Sequence, residues 1–267
     1  MKRTTYILIG TYLAGMIFII ISIVVVRNTI VVKNPQVYTL EMPKEKTEIE
    51  LANIQNIKFL GTYPTNSSYI GMGAIGIKPA ADGNTGKLAI PTMKGLTAKV
   101  NGNTLIVNFD WDTATSKEEV EKAHQLRLEA IDFVLELPNG SYCIENNLYS
   151  NLNIVGVKAD SLNITSRSIV TLDDCTINSL AVKGEHIAFH VSNSTLKNIY
   201  TDLDVVNKWS VQNSTVQTHF LTGSGHKKHF VNDLGSSERV VWMPKDKDSK
   251  LMITLESATD VIFNKPN

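Results

Sequence analysis

The feature that most constrains this chain is a repeat of about twenty residues in its second half. Three segments superpose: residues 174–182 (DCTINSLAV), 193–201 (NSTLKNIYT) and 213–221 (NSTVQTHFL). Each is preceded by two large apolar residues in alternation, Val170/Leu172, Phe189/Val191 and Trp209/Val211. An earlier segment, residues 159–164, matches 177–182. One such unit cannot bury its own apolar face, and stacking units makes a common core. Short alternating strands at this period predict a parallel β-helix of about five turns. Leu162, Leu180 and Ile199 should form one inward ladder. Asp174, Asn193 and Asn213 should occupy corners, because Asn and Asp tolerate left-handed backbone and bond their own neighbours. An antiparallel β-sandwich is the alternative for the same strand content.

Cys175 fills the slot that Ser194 and Ser214 hold in later turns, which predicts a small, buried thiol. Cys143, the only other cysteine, is not a whole number of turns away, so two free thiols are expected and a bridge is left open.

The first half reads as entry strands. Strand-like runs at 54–59, 68–70, 75–77, 87–90, 97–100, 104–109 and 131–137 are punctuated by Gly, Asn, Asp and Pro. Asn101-Gly102-Asn103 is a hairpin signal. Ser116, with Glu119 three residues on, forms a capping-box pattern and predicts one short surface helix to about Arg127. Towards the C-terminus, runs at 239–243, 251–255 and 261–263 should add strands and close the open end of the coil.

Residues 6–26 form an apolar run without charge. Its length matches a hydrocarbon core of roughly 30 Å. It is longer than the core of a cleaved signal peptide and lacks an A-x-A site. No cysteine for lipidation lies near it. The expected organisation is a cytoplasmic tail over 1–5, a transmembrane signal anchor over 6–26, a linker over 27–48 and an extracytoplasmic β-domain over 49–267. Lys2 and Arg3 favour a cytoplasmic N-terminus. Gly10, Ala14 and Gly15 give the span a small-residue face for packing on another helix.

Lys and Arg together number 26, as do Asp and Glu, so no net field favours nucleic acid. No basic face with interleaved aromatics is present, and nucleic acid is not expected as a partner. Gly71-Met-Gly73-Ala-Ile-Gly76 matches the dinucleotide fingerprint by letter, but Pro79 follows where a helix should open. No cofactor is expected. His219, His226 and His229 surround a Gly-Ser-Gly turn. Lys227 and Lys228 among them oppose a cation, and a solvated loop accounts for them better than a metal site. Asp173, Asp174, Asp202 and Asp204 are the best acidic set. Paired carboxylates on a coil could do acid–base work on a glycan, but turn chemistry alone also explains them.

Several features taken together resemble a known family. They are Ile54, Ile57 and Phe59 at the domain start, Asn-Gly-Asn-Thr-Leu-Ile-Val at 101–107, a strand ending at Pro138, and Asp-Ser-Leu-Asn-Ile at 160–164. This order resembles the putative adhesin family of bacterial cell envelopes, the head GIN domain, over roughly residues 50–260. The chain departs from it by using Asn and Asp where members carry Ser-Gly turns. The resemblance implies a β-helical envelope module with no catalytic motif. With the apolar run, it places the chain in a bacterial inner membrane as a single-pass protein with a periplasmic domain.

The leading functional expectation is therefore a non-enzymatic, adhesin-like binding module for a protein or glycan. The alternatives are a small glycan lyase or hydrolase using the four aspartates, and a membrane sensor or assembly subunit acting through its span.

Overall fold

The structure, a computed structural model, describes residues 12, 14–22, 37–41, 43–62, 68–70, 73–115, 125–129, 131–148, 150–184, 187–232, 236–254 and 260–265. It divides into two units, Met1–Gln36 and Val37–Asn267.

In the first unit the expected membrane span is corrected. Among the described residues, no helix is long and apolar enough to cross a membrane. Residues 14–22 are helical. The inner-membrane, single-pass location expected from a span falls with it. Ala14 and Gly15 lie in this helical segment and are exposed, while Gly10 and residues 1–5 lie outside the described residues.

The second unit is a parallel β-solenoid of about six turns. Its sides are a ten-stranded sheet, an eight-stranded sheet and two smaller sheets of three and two strands. The sandwich alternative is excluded by register. In the ten-stranded sheet Lys158–Ser166, Thr176–Lys183, Thr195–Asp202, Thr215–Gly223 and Ser236–Pro244 pair in parallel, each with the next. In the eight-stranded sheet Asn151–Val155, Val170–Asp173, Ile187–Ser192 and Val206–Gln212 do the same.

Register follows the repeat. Leu162 pairs with Leu180, and Leu180 with Ile199, and all three are buried. On the facing sheet Val170, Phe189 and Trp209 stack in one column, and Leu172, Val191 and Val211 in the next. Burial of these columns, repeated every turn, supplies the main stabilisation of the coil. Asp174, Asn193 and Asn213 have φ of 54°, 49° and 48°, so all three corners adopt the left-handed conformation. The residue after each corner points inward. Ser214 Oγ accepts from Ser194 N at 3.0 Å and donates to Gln212 O at 2.8 Å. Ser194 Oγ accepts from Cys175 N at 3.0 Å and donates to Ser192 O at 2.6 Å. Cys175 ends this ladder as a buried free thiol, its Sγ against Asp173 O at 3.3 Å. Burial pushes that thiol's pKa up, so it is inert as a nucleophile. Cys143 is free and exposed.

The entry strands join the coil, which accounts for the extra turn. Their stacking order differs from their chain order. Asn56–Thr62 lies between Thr104–Asp110 and Gly140–Asn146. Gly73–Pro79 lies between Ile131–Leu137 and Asn151–Val155. The first turn is thus clasped between two later ones, and Pro138-Asn139 carries the chain across it. Antiparallel strands close this end: Leu96–Asn101 on Thr104–Asp110, and Lys46–Leu51 on Gly86–Pro91. Trp111, fully buried in a helical turn capped by Asp110, packs edge-on against Phe109.

Within the stretch read as a linker, Val37–Glu41 and Lys46–Leu51 are strands. Of the expected surface helix, residues 116–124 lie outside the described residues. Gln125–Glu129 is a strand, parallel to Val37–Glu41 and Ser68–Ile70. In the Gly71–Gly76 match, Gly73 begins the strand Gly73–Pro79, so no phosphate-binding helix opens there.

Candidate functional site

The four aspartates do not form one site. Asp173 and Asp174 sit at the corner leading into the ten-stranded sheet, and Asp202 and Asp204 at the corner leading out of it. The strand Thr195–Asp202 runs between the two corners, about 25 Å of chain. Asp173 accepts from Ser192 Oγ and Asn193 Nδ2, both at 2.8 Å, in the next turn. These two bonds hold its carboxyl below the usual range. Asp174 is the left-handed corner itself.

Asp202 and Asp204 meet Lys245, two turns further on. Lys245 Nζ lies 2.6 Å from Asp202 Oδ2 and 2.8 Å from Asp204 Oδ2. Asp204 also accepts from Ser224 N at 3.0 Å and Ser224 Oγ at 3.0 Å. Partial burial opposes ionisation of Asp204, but Lys245 and Ser224 outweigh it and hold the carboxyl at about 2. Asp246, beside Lys245, repeats the device against the turn between, accepting from Gly225 N at 2.8 Å and Ser249 Oγ at 3.0 Å. Each carboxylate tethers a neighbouring loop. A general acid needs a raised pKa and a free edge, and Asp204 has neither.

The three histidines separate. His226 is exposed. His229 is buried, and its Nε2 donates to Ser224 O at 2.9 Å, with Asp204 Oδ1 at 3.4 Å. His219 is not in a solvated loop. It pairs with Ile199 in the inward ladder and is fully buried. Its Nδ1 is 3.3 Å from Ser237 Oγ, its ring is 4.9 Å from that of Trp209, and its Nε2 has no partner. Burial pushes its pKa down to about 3. The period-two pattern placed an inward residue at 219, and that was the available signal for its burial. Among the described residues, no group of three or more His, Cys, Asp or Glu is arranged to hold a metal ion.

Two surface features were not anticipated from sequence. Tyr200 and Phe220 stack at 4.7 Å, nearly parallel, on the outer face of the ten-stranded sheet. Three neighbouring clefts share lining residues, the second and third along this sheet and the first at the corner between it and the eight-stranded sheet. The first, about 230 Å³, opens where the chain crosses the clasped turn, between Gln55 and Gly140. It shares Asn139 and Gly140 with a second of about 160 Å³. That one shares Thr176 and Asn178 with a third of about 270 Å³, which reaches Glu238. The cause lies in register. Pairing runs from Ala159↔Ile177 to Ser161↔Ser179, leaving Asp160 and Asn178 unpaired, and the same skip recurs at Lys197, Gln217 and Glu238. Each strand therefore bends at one column. Asn178, Lys197, Gln217 and Glu238 line the third cleft together with exposed Thr176, Thr195 and Thr215.

No family model matches the chain, and no curated protein matches it. Among solved structures, the chain is similar to a putative adhesin from Bacteroides fragilis, with a TM-score of 0.45 and 12% identity over 85% of this chain and 100% of that one. It is also similar to a putative lipid binding protein from Parabacteroides distasonis, with a TM-score of 0.38 and 11% identity over 85% and 100%. A putative adhesin from Parabacteroides merdae follows, with a TM-score of 0.35 and 9% identity over 84% and 96%.

Proposed function

We propose that the chain is a non-enzymatic, adhesin-like binding module whose working surface is an outer face of the solenoid. One observation carries this reading: the candidate catalytic carboxylates lie at two separate corners, and Asp173 and Asp204, with depressed pKa values, are saturated by tethering bonds. A glycosidase needs two carboxyl groups about 5–10 Å apart flanking one bond, and the strand between the corners forbids that for Asp173 with Asp204. A rigid coil with residues presented at every turn suits recognition of an extended partner.

The full chain should retain a glycan or protein ligand on an array and release it unaltered. Asp173→Asn/Asp204→Asn should bind like the native chain at temperatures where it stays folded. Recovery of shortened glycan, lost in that variant, would refute the reading.

A further inference from the structure

We infer that the groove along the ten-stranded sheet is a binding site for a linear, uncharged glycan lying parallel to the solenoid axis. This rests on the binding-module reading above and names its ligand class and location.

The length of the groove is set by the stack. It runs from Gly140 on Gly140–Asn146 to Glu238 on Ser236–Pro244, and five strand spacings separate those two strands. At about 4.8 Å per spacing that is roughly 24 Å. The two clefts along this sheet adjoin at Thr176 and Asn178, which line both. A track of this length and narrow section fits a polymer rather than a compact metabolite.

Its chemistry selects the polymer. Its exposed lining carries the hydroxyls of Thr176, Thr195 and Thr215 and the amides of Asn178 and Gln217, over buried Ile177, Leu196 and Val216. Thr215 Oγ1 lies 3.5 Å from Thr195 Oγ1, so neighbouring turns present their hydroxyls in one column. Such groups both donate and accept, as the hydroxyls of a sugar do. The charges cancel along the track, Lys158 and Lys197 against Asp160 and Glu238, so no field attracts a polyanion or polycation. An extended peptide would gain affinity by adding to a free strand edge with pockets for alternate side chains. This groove instead lies on the face of a sheet whose strands already pair on both sides. Repetition of the same threonine at three successive turns matches a ligand that is itself a repeat.

The test is titration calorimetry of the full chain with cello-, manno-, xylo- and chitohexaose, with hexagalacturonate and an unstructured decapeptide as controls. At least one neutral hexasaccharide should bind. Asn178→Ala/Gln217→Ala should weaken it by roughly tenfold or more, two lost hydrogen bonds. Thr195→Tyr, which fills the groove, should abolish binding, and Asn153→Ala on the opposite sheet should leave it unchanged. Thermal melts matching the native chain establish that each variant folds. Binding that ignores the groove variants, preference for the acidic probe or the peptide, or no binding by any neutral probe would overturn the assignment. Failure of the parent reading looks different: sugar recovered from the cell would be shorter than the sugar added.

Discussion

The central turns and the C-terminal turns use the same backbone plan with different interiors. In the central turns, Leu162, Leu180 and Ile199 form an aliphatic ladder, and each corner is an Asn or Asp followed by an inward Ser or Cys. In the C-terminal turns the same ladder continues as His219 and Val240. His219 Nδ1 is near Ser237 Oγ and its Nε2 has no partner. A second, small apolar cluster forms there from Leu203, Leu221, Val231, Val240 and Trp242. The loops are tied by Asp204, Lys245 and Asp246 rather than by apolar burial. A stacked coil therefore tolerates a polar interior where side-chain tethers hold its corners, at a cost in local stability.

The largest expected effect lies in the central turns. Gly184 has φ of 144°, and a Cβ there would overlap the Ser166 carbonyl. Gly184→Ala should cost about 3–4 kcal/mol in denaturant unfolding. The ladder itself gives the sharpest contrast. Leu180→Ala should cost about 3 kcal/mol through its cavity. His219→Leu, in the same column, should be neutral or stabilising by about 1 kcal/mol, because it removes an unpartnered buried nitrogen. Equal losses for the two would break the comparison.

Acid should separate the regions next. His219 stays neutral in the folded chain down to about pH 3, against 6.5 when unfolded. The unfolded state therefore binds the extra proton first, and stability falls as pH drops from about 6.5 towards 3, by at most about 1.4 kcal/mol per pH unit. Asp204 adds a later loss between 3.8 and about 2, because its folded pKa is depressed. His219→Leu should remove the first phase in chemical denaturation curves taken at successive pH values.

Smaller effects concern the tethers. Asn193→Ala should cost about 1 kcal/mol and Asn193→Gly much less, since glycine accepts the left-handed corner. Lys245→Met should cost less than about 1 kcal/mol, because its ion pairs are partly exposed. It should also raise the Asp204 pKa in carboxyl-resolved NMR titration.

What was legible in the sequence is what repeats locally. Asp174, Asn193 and Asn213 announced their corners because a left-handed backbone restricts residue type. The inward columns followed from a period of two between corners. Cys175 was read correctly because Ser194 and Ser214 define its slot. The clasped first turn was not legible: strand order there is set by which edges meet, and Pro138-Asn139 carries no sign of crossing another strand. Residues 6–26 read as a span on apolar length alone, whereas among the described residues no helix is long and apolar enough to cross a membrane. Turn chemistry locates the aspartates at corners but not which corners share a side, and a loop reading of the histidines misses that one of them lies on a strand. Asp173 and Asp204 occupy different corners, and His219 faces the core while His226 faces solvent. The groove arises from one unpaired residue per strand, visible only once the register is known.

The most direct test of the two-region account is amide hydrogen exchange of the full chain at pH 7 and pH 4.5, corrected for intrinsic rates. The account predicts that amides of Thr215–Gly223 and Ser236–Pro244 lose protection at pH 4.5, while those of Lys158–Ser166 and Thr176–Lys183 keep theirs. Uniform loss along the coil, or earlier loss in the central turns, would contradict it.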